Sequence, residues 1–145
     1  MPDLRPGELR LFQARMDCVP LATAFVEAFC DLQGIDRGDA LRLTLIVEEL
    51  LTNTVQHGHG GDSEAAVHIE LAADGMFLTL RYEDHAPPFD PLQHLAGARP
   101  EWDAAAADRR VGGLGLHLMA QMAHSLDYRF VGGRNRLHLV LRRGG

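Results

Sequence analysis

The stretch VEELLTNTVQHG places Glu49, Asn53 and His57 at four-residue intervals. In a helix that spacing stacks side chains along one stripe, so an acid, an amide and an imidazole share one line. The stripe runs along the rim of an apolar arc formed by Leu43, Ile46, Val47, Leu50 and Thr54. Polar groups at such a rim either meet solvent or line a cavity. In a cavity, a carboxylate such as Glu49 can accept a proton from a hydroxyl or water. The amide oxygen of Asn53 can ligate magnesium, which keeps most of its waters and takes phosphate oxygens. Taken alone, the three residues fit a solvated helix edge equally well.

Two further stretches bear on that choice. In YEDHAPPFDP, Asp84 sits where a strand ends and a proline-rich turn begins. A carboxylate there can accept a hydrogen bond from an amine of a ligand lying against a sheet; the plainer reading is a turn-starting aspartate. Phe89 is expected to anchor that turn by packing beneath it. In RRVGGLGLHLM, glycines 112, 113 and 115 lead into a helix. Glycine lets backbone amides approach an anion, and a helix N-terminus adds partial positive charge. Arg109 and Arg110 stand just before, within reach of a phosphate. A hinge closing a lid is the simpler reading and is compatible with phosphate binding. The pattern is not the dinucleotide fingerprint, because its last glycine falls too soon and no strand feeds it. HGHGGD holds two histidines without a further paired ligand, so no zinc site is expected, and His57 is expected to close its helix.

The elements that must position these residues follow from periodicity. Leu9 to Phe12 reads as a strand. A helix with Pro20 in its first turn and Leu21, Phe25, Phe29 and Leu32 at helical spacing ends at Gly34. A second helix runs from Asp36, as N-cap, to His57. Val67, Ile69 and Leu71 alternate in one strand, and Met76, Leu78, Leu80 and Tyr82 in the next, joined by an Asp-Gly turn. Regular periodicity fails from Pro87 to Gly113, as expected of a lid or a disordered loop. Leu118, Met119 and Met122 mark a third helix, and two strands close the chain around GGRN. The order β-α-α-β-β-lid-α-β-β predicts an α+β two-layer sandwich, a mostly antiparallel sheet with its helices on one face. Residues 1–8 are expected to be a tail, and 9–145 a single domain with its lid at about 91–112.

Composition removes several classes. The 145 residues are 46% hydrophobic and 23% charged, with no apolar run near membrane-spanning length, so a soluble protein is expected. A net charge of −6 argues against a general nucleic-acid binder. All 14 basic residues are arginine. Without lysine there is no P-loop, no kinase strand lysine and no Schiff-base chemistry. Cys18 and Cys30 read as reduced thiols of a cytosolic protein.

Taken in order, the three stretches resemble the GHKL ATP-binding fold: VEELLTNTVQHG its N box, DHAPPFDP its first glycine box, RRVGGLGLHLM its second. The chain's size, PFDP and GGLGLHLM are similar to the anti-sigma-factor serine/threonine kinases of the RsbW and SpoIIAB type. The resemblance spans about residues 9–142. It implies that Asn53 ligates the Mg2+ holding the phosphates of ATP and that Glu49 is the general base for the attacking protein hydroxyl. It further implies that Asp84 binds the exocyclic amine of adenine, and that Gly113 and Gly115 sit at the phosphates. Arg110 matches the arginine that contacts the γ-phosphate, with Arg109 adjacent.

The first glycine box usually reads Asp-x-Gly, and here it reads Asp84-His85-Ala86, which puts Ala86 beside the nucleotide. If that backbone needs positive φ, alanine is strained, and if it passes close to the nucleotide the methyl crowds the adenine side; on either ground Ala86→Gly is expected to bind ATP as well or tighter. The implied function is that of a cytoplasmic, homodimeric, partner-switching kinase. It would phosphorylate a STAS-domain antagonist and sequester a sigma factor, without binding nucleic acid or membrane itself. The rival readings are a non-catalytic ATP-binding module and a detached histidine-kinase catalytic domain.

Overall fold

The computed structural model describes residues 7–91 and 114–144. Strand β1 (Glu8–Gln13) leads through a short 3-10 turn into α1 (Val19–Leu32) and α2 (Arg37–Asn53). Strands β2 (Ala66–Ala73) and β3 (Phe77–Asp84) form a hairpin. Helix α3 (Leu114–Met122) then precedes β4 (Ala123–Val131) and β5 (Arg134–Arg142). The sheet order is β1-β2-β3-β5-β4, antiparallel throughout. This is the expected α+β arrangement.

Local chemistry sets the element boundaries. Pro20 lies in the first turn of α1, where its missing N–H costs nothing. Gly34, at φ 68°, supplies the left-handed residue that ends this segment. Asp36 caps α2, its carboxylate accepting from the Asp39 amide at 3.0 Å. In the β2–β3 hairpin, the Asp74 carboxylate accepts from the amides of Met76 and Phe77 at 2.7 and 2.8 Å. Those two bonds hold its pKa below the usual carboxylate range. Met76, expected as a core position of β3, belongs to this turn instead and is exposed. The closing hairpin turns on Gly132 and Gly133, both at positive φ, as a two-residue primed turn requires.

The period of two along the strands puts one apolar row on the helix side. Ile69 and Leu71, Leu78 and Leu80, and Leu139 and Leu141 are buried there against Val26, Ile46, Val47 and Met119. Each such side chain contributes about 1.5–3 kcal/mol by leaving water. The inward row of β5 begins with Asn135 rather than an apolar residue, and that of β3 ends with Asp84. These two polar positions face each other in register across the β3–β5 pair, at one end of the sheet. Burial pushes the Cys30 thiol up to about 11, so it packs as a small inert hydrophobe. No helix among the described residues is long and apolar enough to cross a membrane.

Candidate functional site

Beside the Asp84–Asn135 pair lies a cavity of about 140 Å³. Its walls come from the end of α2 (Leu50, Asn53), the turn after it (Thr54, His57, Gly58), the end of β3 and the turn from Ala86 to Phe89. Tyr128 of β4 and Asn135 and Leu137 of β5 complete it. A helix end, a strand end and a proline-rich turn thus converge on one space.

Helix α2 does not run as a plain α-helix to His57. From Thr54 to Gly58 it widens into one π turn, the His59 amide reaching back to the Thr54 carbonyl at 2.9 Å. The extra residue breaks the four-residue stripe after Asn53, and π turns of this kind recur at functional sites. Asn53 and His57 both line the cavity, whereas Glu49 does not. Glu49 lies one turn before Asn53, 8% exposed, and its Oε2 has no hydrogen-bond partner. Burial pushes its carboxyl up; the Asn53 side chain opposes that shift and the Glu48 charge adds to it. Glu48 itself is exposed.

Asp84 and Asn135 carry most of the hydrogen bonds in the cavity wall. Asp84 Oδ1 accepts from the Ala86 amide at 3.1 Å and from Asn135 Nδ2 at 2.8 Å. Its Oδ2 accepts from the Thr54 hydroxyl at 2.7 Å. Asn135 Nδ2 also reaches the carbonyls of Ala86 and Pro87, both at 3.0 Å. Asn135 Oδ1 accepts from the Phe89 amide at 2.9 Å and from the Tyr128 hydroxyl. One amide therefore ties the turn after β3 to both closing strands. Phe89 is held by this backbone bond with its residue 37% exposed, so it is not the buried anchor expected from sequence.

Of the other sequence-predicted residues, Gly115 falls in the first turn of α3. Arg109, Arg110 and Gly113 lie outside the described residues, as does the expected lid apart from Pro91. Among the described residues no three His, Cys, Asp or Glu side chains gather to hold a cation. A metal at this site would therefore be held by Asn53, phosphate oxygens and its own waters, a set that suits magnesium. Asn53 on the wall and the unpartnered Glu49 oxygen beside it fit that arrangement.

A profile of the histidine kinase-like ATPase domain matches residues 12–141, nearly the whole chain. The chain belongs to the histidine kinase-like ATPase domain family. Within this GHKL-type family it is 34% identical over 98 residues to the serine/threonine-protein kinase BtrW of Bordetella bronchiseptica, covering 68% of this chain and 67% of that protein. A chain of the solved SiaB–SiaC complex from Pseudomonas aeruginosa shares the fold. Its TM-score is 0.56 at 15% identity, over 93% of this chain and 89% of that one. The resemblance to the anti-sigma-factor kinase branch agrees with these relatives.

Ala86 departs from the GHKL box without backbone strain. Among the described residues none but glycine has a positive φ, so backbone strain is removed as a ground for a tighter-binding Ala86→Gly. Ala86 is 3% exposed, and a Cβ built on Gly58 would sit 2.7 Å from its methyl. The alanine methyl fills the space left by a glycine in the π turn. Ala86→Gly is then expected to lower stability by about 0.5–1 kcal/mol through added chain freedom and a small gap. Gly58→Ala should cost more, about 1–3 kcal/mol by overpacking. Combining the two should recover most of the Gly58→Ala loss, and denaturant melts of the three variants check it.

Thr54, Tyr82, Tyr128 and Asn135 were not singled out by sequence as site residues. A signal existed for two of them. Thr54 is the polar member of the apolar arc of α2, and Asn135 interrupts the inward apolar row of β5.

Proposed function

We propose that this GHKL-type domain is an ATP-dependent serine/threonine kinase acting in the cytoplasm as a homodimeric, partner-switching anti-sigma factor. One juxtaposition carries the reading. Asp84 and Asn53 share a cavity wall, and a buried carboxylate with an unpartnered oxygen stands one helical turn behind. Asp84, an acceptor, suits the exocyclic amine of adenine. Asn53 would hold magnesium, which supplies charge neutralisation and orientation of the phosphates when bound. Glu49 would take the proton of the attacking serine or threonine hydroxyl, its low hydration raising its basicity. Gly113, Gly115 and Arg110 are assigned to the phosphates, and Ala86 to the adenine side of the cavity. The kinase relative supports phosphotransfer, and its partner here would be a STAS-domain antagonist, with a sigma factor held when that antagonist is absent.

Thermal melts with ATP, ADP and GTP, each with and without magnesium, test the nucleotide reading. ATP with magnesium at a hundredfold excess over its Kd should add about 2.7 kcal/mol. Asn53→Ala should remove the magnesium-dependent part of that shift. No shift with any adenine nucleotide at millimolar concentration would overturn the proposal.

A further inference from the structure

The cavity contains a chain of hydroxyls whose direction is fixed by proton counting. Thr54 Oγ1 lies 2.7 Å from Asp84 Oδ2, 2.7 Å from the Tyr82 hydroxyl and 3.0 Å from the Leu50 carbonyl. A threonine hydroxyl has one proton, and a carboxylate is a stronger acceptor than a neutral carbonyl. The proton therefore goes to Asp84. The Tyr82–Thr54 contact must then be made with the tyrosine proton, so the chain runs from Tyr82 to Thr54 to Asp84. Tyr82 is 3% exposed, Thr54 5% and Asp84 6%, so water competes poorly for any of these bonds.

The same count shows what Asp84 has left. A carboxylate offers about four acceptor positions. Two on Oδ1 are filled by the Ala86 amide and Asn135 Nδ2, and one on Oδ2 by Thr54. One position remains, on Oδ2, in a residue that lines the cavity. The carboxylate cannot swing to offer Oδ1 without breaking two bonds.

We propose that Thr54 is the specificity-determining positioning residue of this cavity. By filling one side of Asp84 Oδ2 it leaves a single acceptor direction, matched to the 6-amino group of a purine. A 6-oxo group would bring oxygen against oxygen with no proton between them. This inference rests on the nucleotide reading above. Thr54 does not touch the phosphates or take part in transfer.

The test is titration calorimetry at fixed magnesium with ATP, with GTP and with purine riboside triphosphate, which lacks the 6-amino group. The wild-type protein is expected to prefer ATP over the amine-free analogue by about tenfold or more, the worth of one hydrogen bond to a buried charge. Thr54→Val, of the same shape, should collapse that preference by about tenfold, and ATP over GTP should fall with it. Thr54→Ser should restore both ratios, because only the hydroxyl matters. Tyr82→Phe should change them less than Thr54→Val does, since Thr54 still donates to Asp84. The double variant Thr54→Val with Tyr82→Phe removes the stranded phenol, so a fold defect in the single variant does not hide the result. Unchanged ratios in the valine variants that still bind ATP would overturn the inference alone. Failure of the wild type to bind any of the three nucleotides would overturn the nucleotide reading, and this inference with it.

Discussion

Replacing Glu49 by glutamine is expected to lower phosphotransfer by about 10²–10⁴-fold while leaving ATP affinity unchanged. The amide keeps the shape and can still pair with Asn53, but it cannot take the substrate proton. Glu49 does not line the cavity, so its loss spares nucleotide contacts. Glu48→Gln, on the exposed side of the helix, should be near neutral. Transfer lost in Glu48→Gln and kept in Glu49→Gln would place the base on the wrong face of α2. The same carboxylate has a stability signature. Its folded pKa is raised by burial, so the folded state binds this proton more tightly than the unfolded chain does. Its contribution to stability is full below the unfolded pKa and is lost as pH rises through the raised folded value. Glu49→Gln should therefore melt higher than wild type at neutral pH. That advantage should shrink as pH falls through the raised pKa towards the ordinary glutamate value. A carboxylate buried at a cost to the fold behaves in this way; a solvated one does not.

Asn135→Ala is expected to destabilise the protein by about 3 kcal/mol. The substitution removes one of two acceptors of the Phe89 amide, the other being the Tyr128 hydroxyl at 3.1 Å, and one of two donors to Asp84 Oδ1. It also removes an acceptor for the Tyr128 hydroxyl and the donor to two turn carbonyls. A buried polar group left unpaired costs about 1–3 kcal/mol, and the half-exposed members of this set will find water, which keeps the sum near the top of that range. For a chain of this size the loss corresponds to a fall in Tm of about 10 °C. ATP affinity should drop as well, because the turn that forms one wall is no longer tied to β4 and β5. A variant that melts with wild type would show that the network contributes nothing.

The sheet and helices were legible because each element carries its own period. Val67, Ile69 and Leu71 alternate, α2 keeps its apolar arc for about three turns, and Asp36 announces its start. Asn53 and Asp84 were legible because polar residues at the rim of an apolar arc and at a strand end stand out from those periods. What could not be read depends on distance through space. The π turn at Thr54–Gly58 arises where the helix meets the turn after β3, and four-residue spacing misplaces His57 relative to Glu49 for that reason. The role of Asn135 requires knowing that β5 lies beside β3, so that a residue 51 positions later faces Asp84. Ala86 departs from the family pattern for a reason that lies through space, its methyl filling the room at Gly58. The part of Phe89 in the turn could not be read from its residue type, because its backbone amide bonds to Asn135 and Tyr128 on the closing strands.

The reaction proposed for this cavity is transfer of the γ-phosphate of ATP to a protein hydroxyl. The most direct measurement incubates the protein with γ-labelled ATP, magnesium and a STAS-domain partner captured from its own cell lysate, followed by acid treatment of the products. The account predicts label on the STAS-domain partner that survives acid, as a serine or threonine ester does, and that is lost with Glu49→Gln. ATP binding without transfer, or label that acid removes as it does from phosphohistidine, would contradict it.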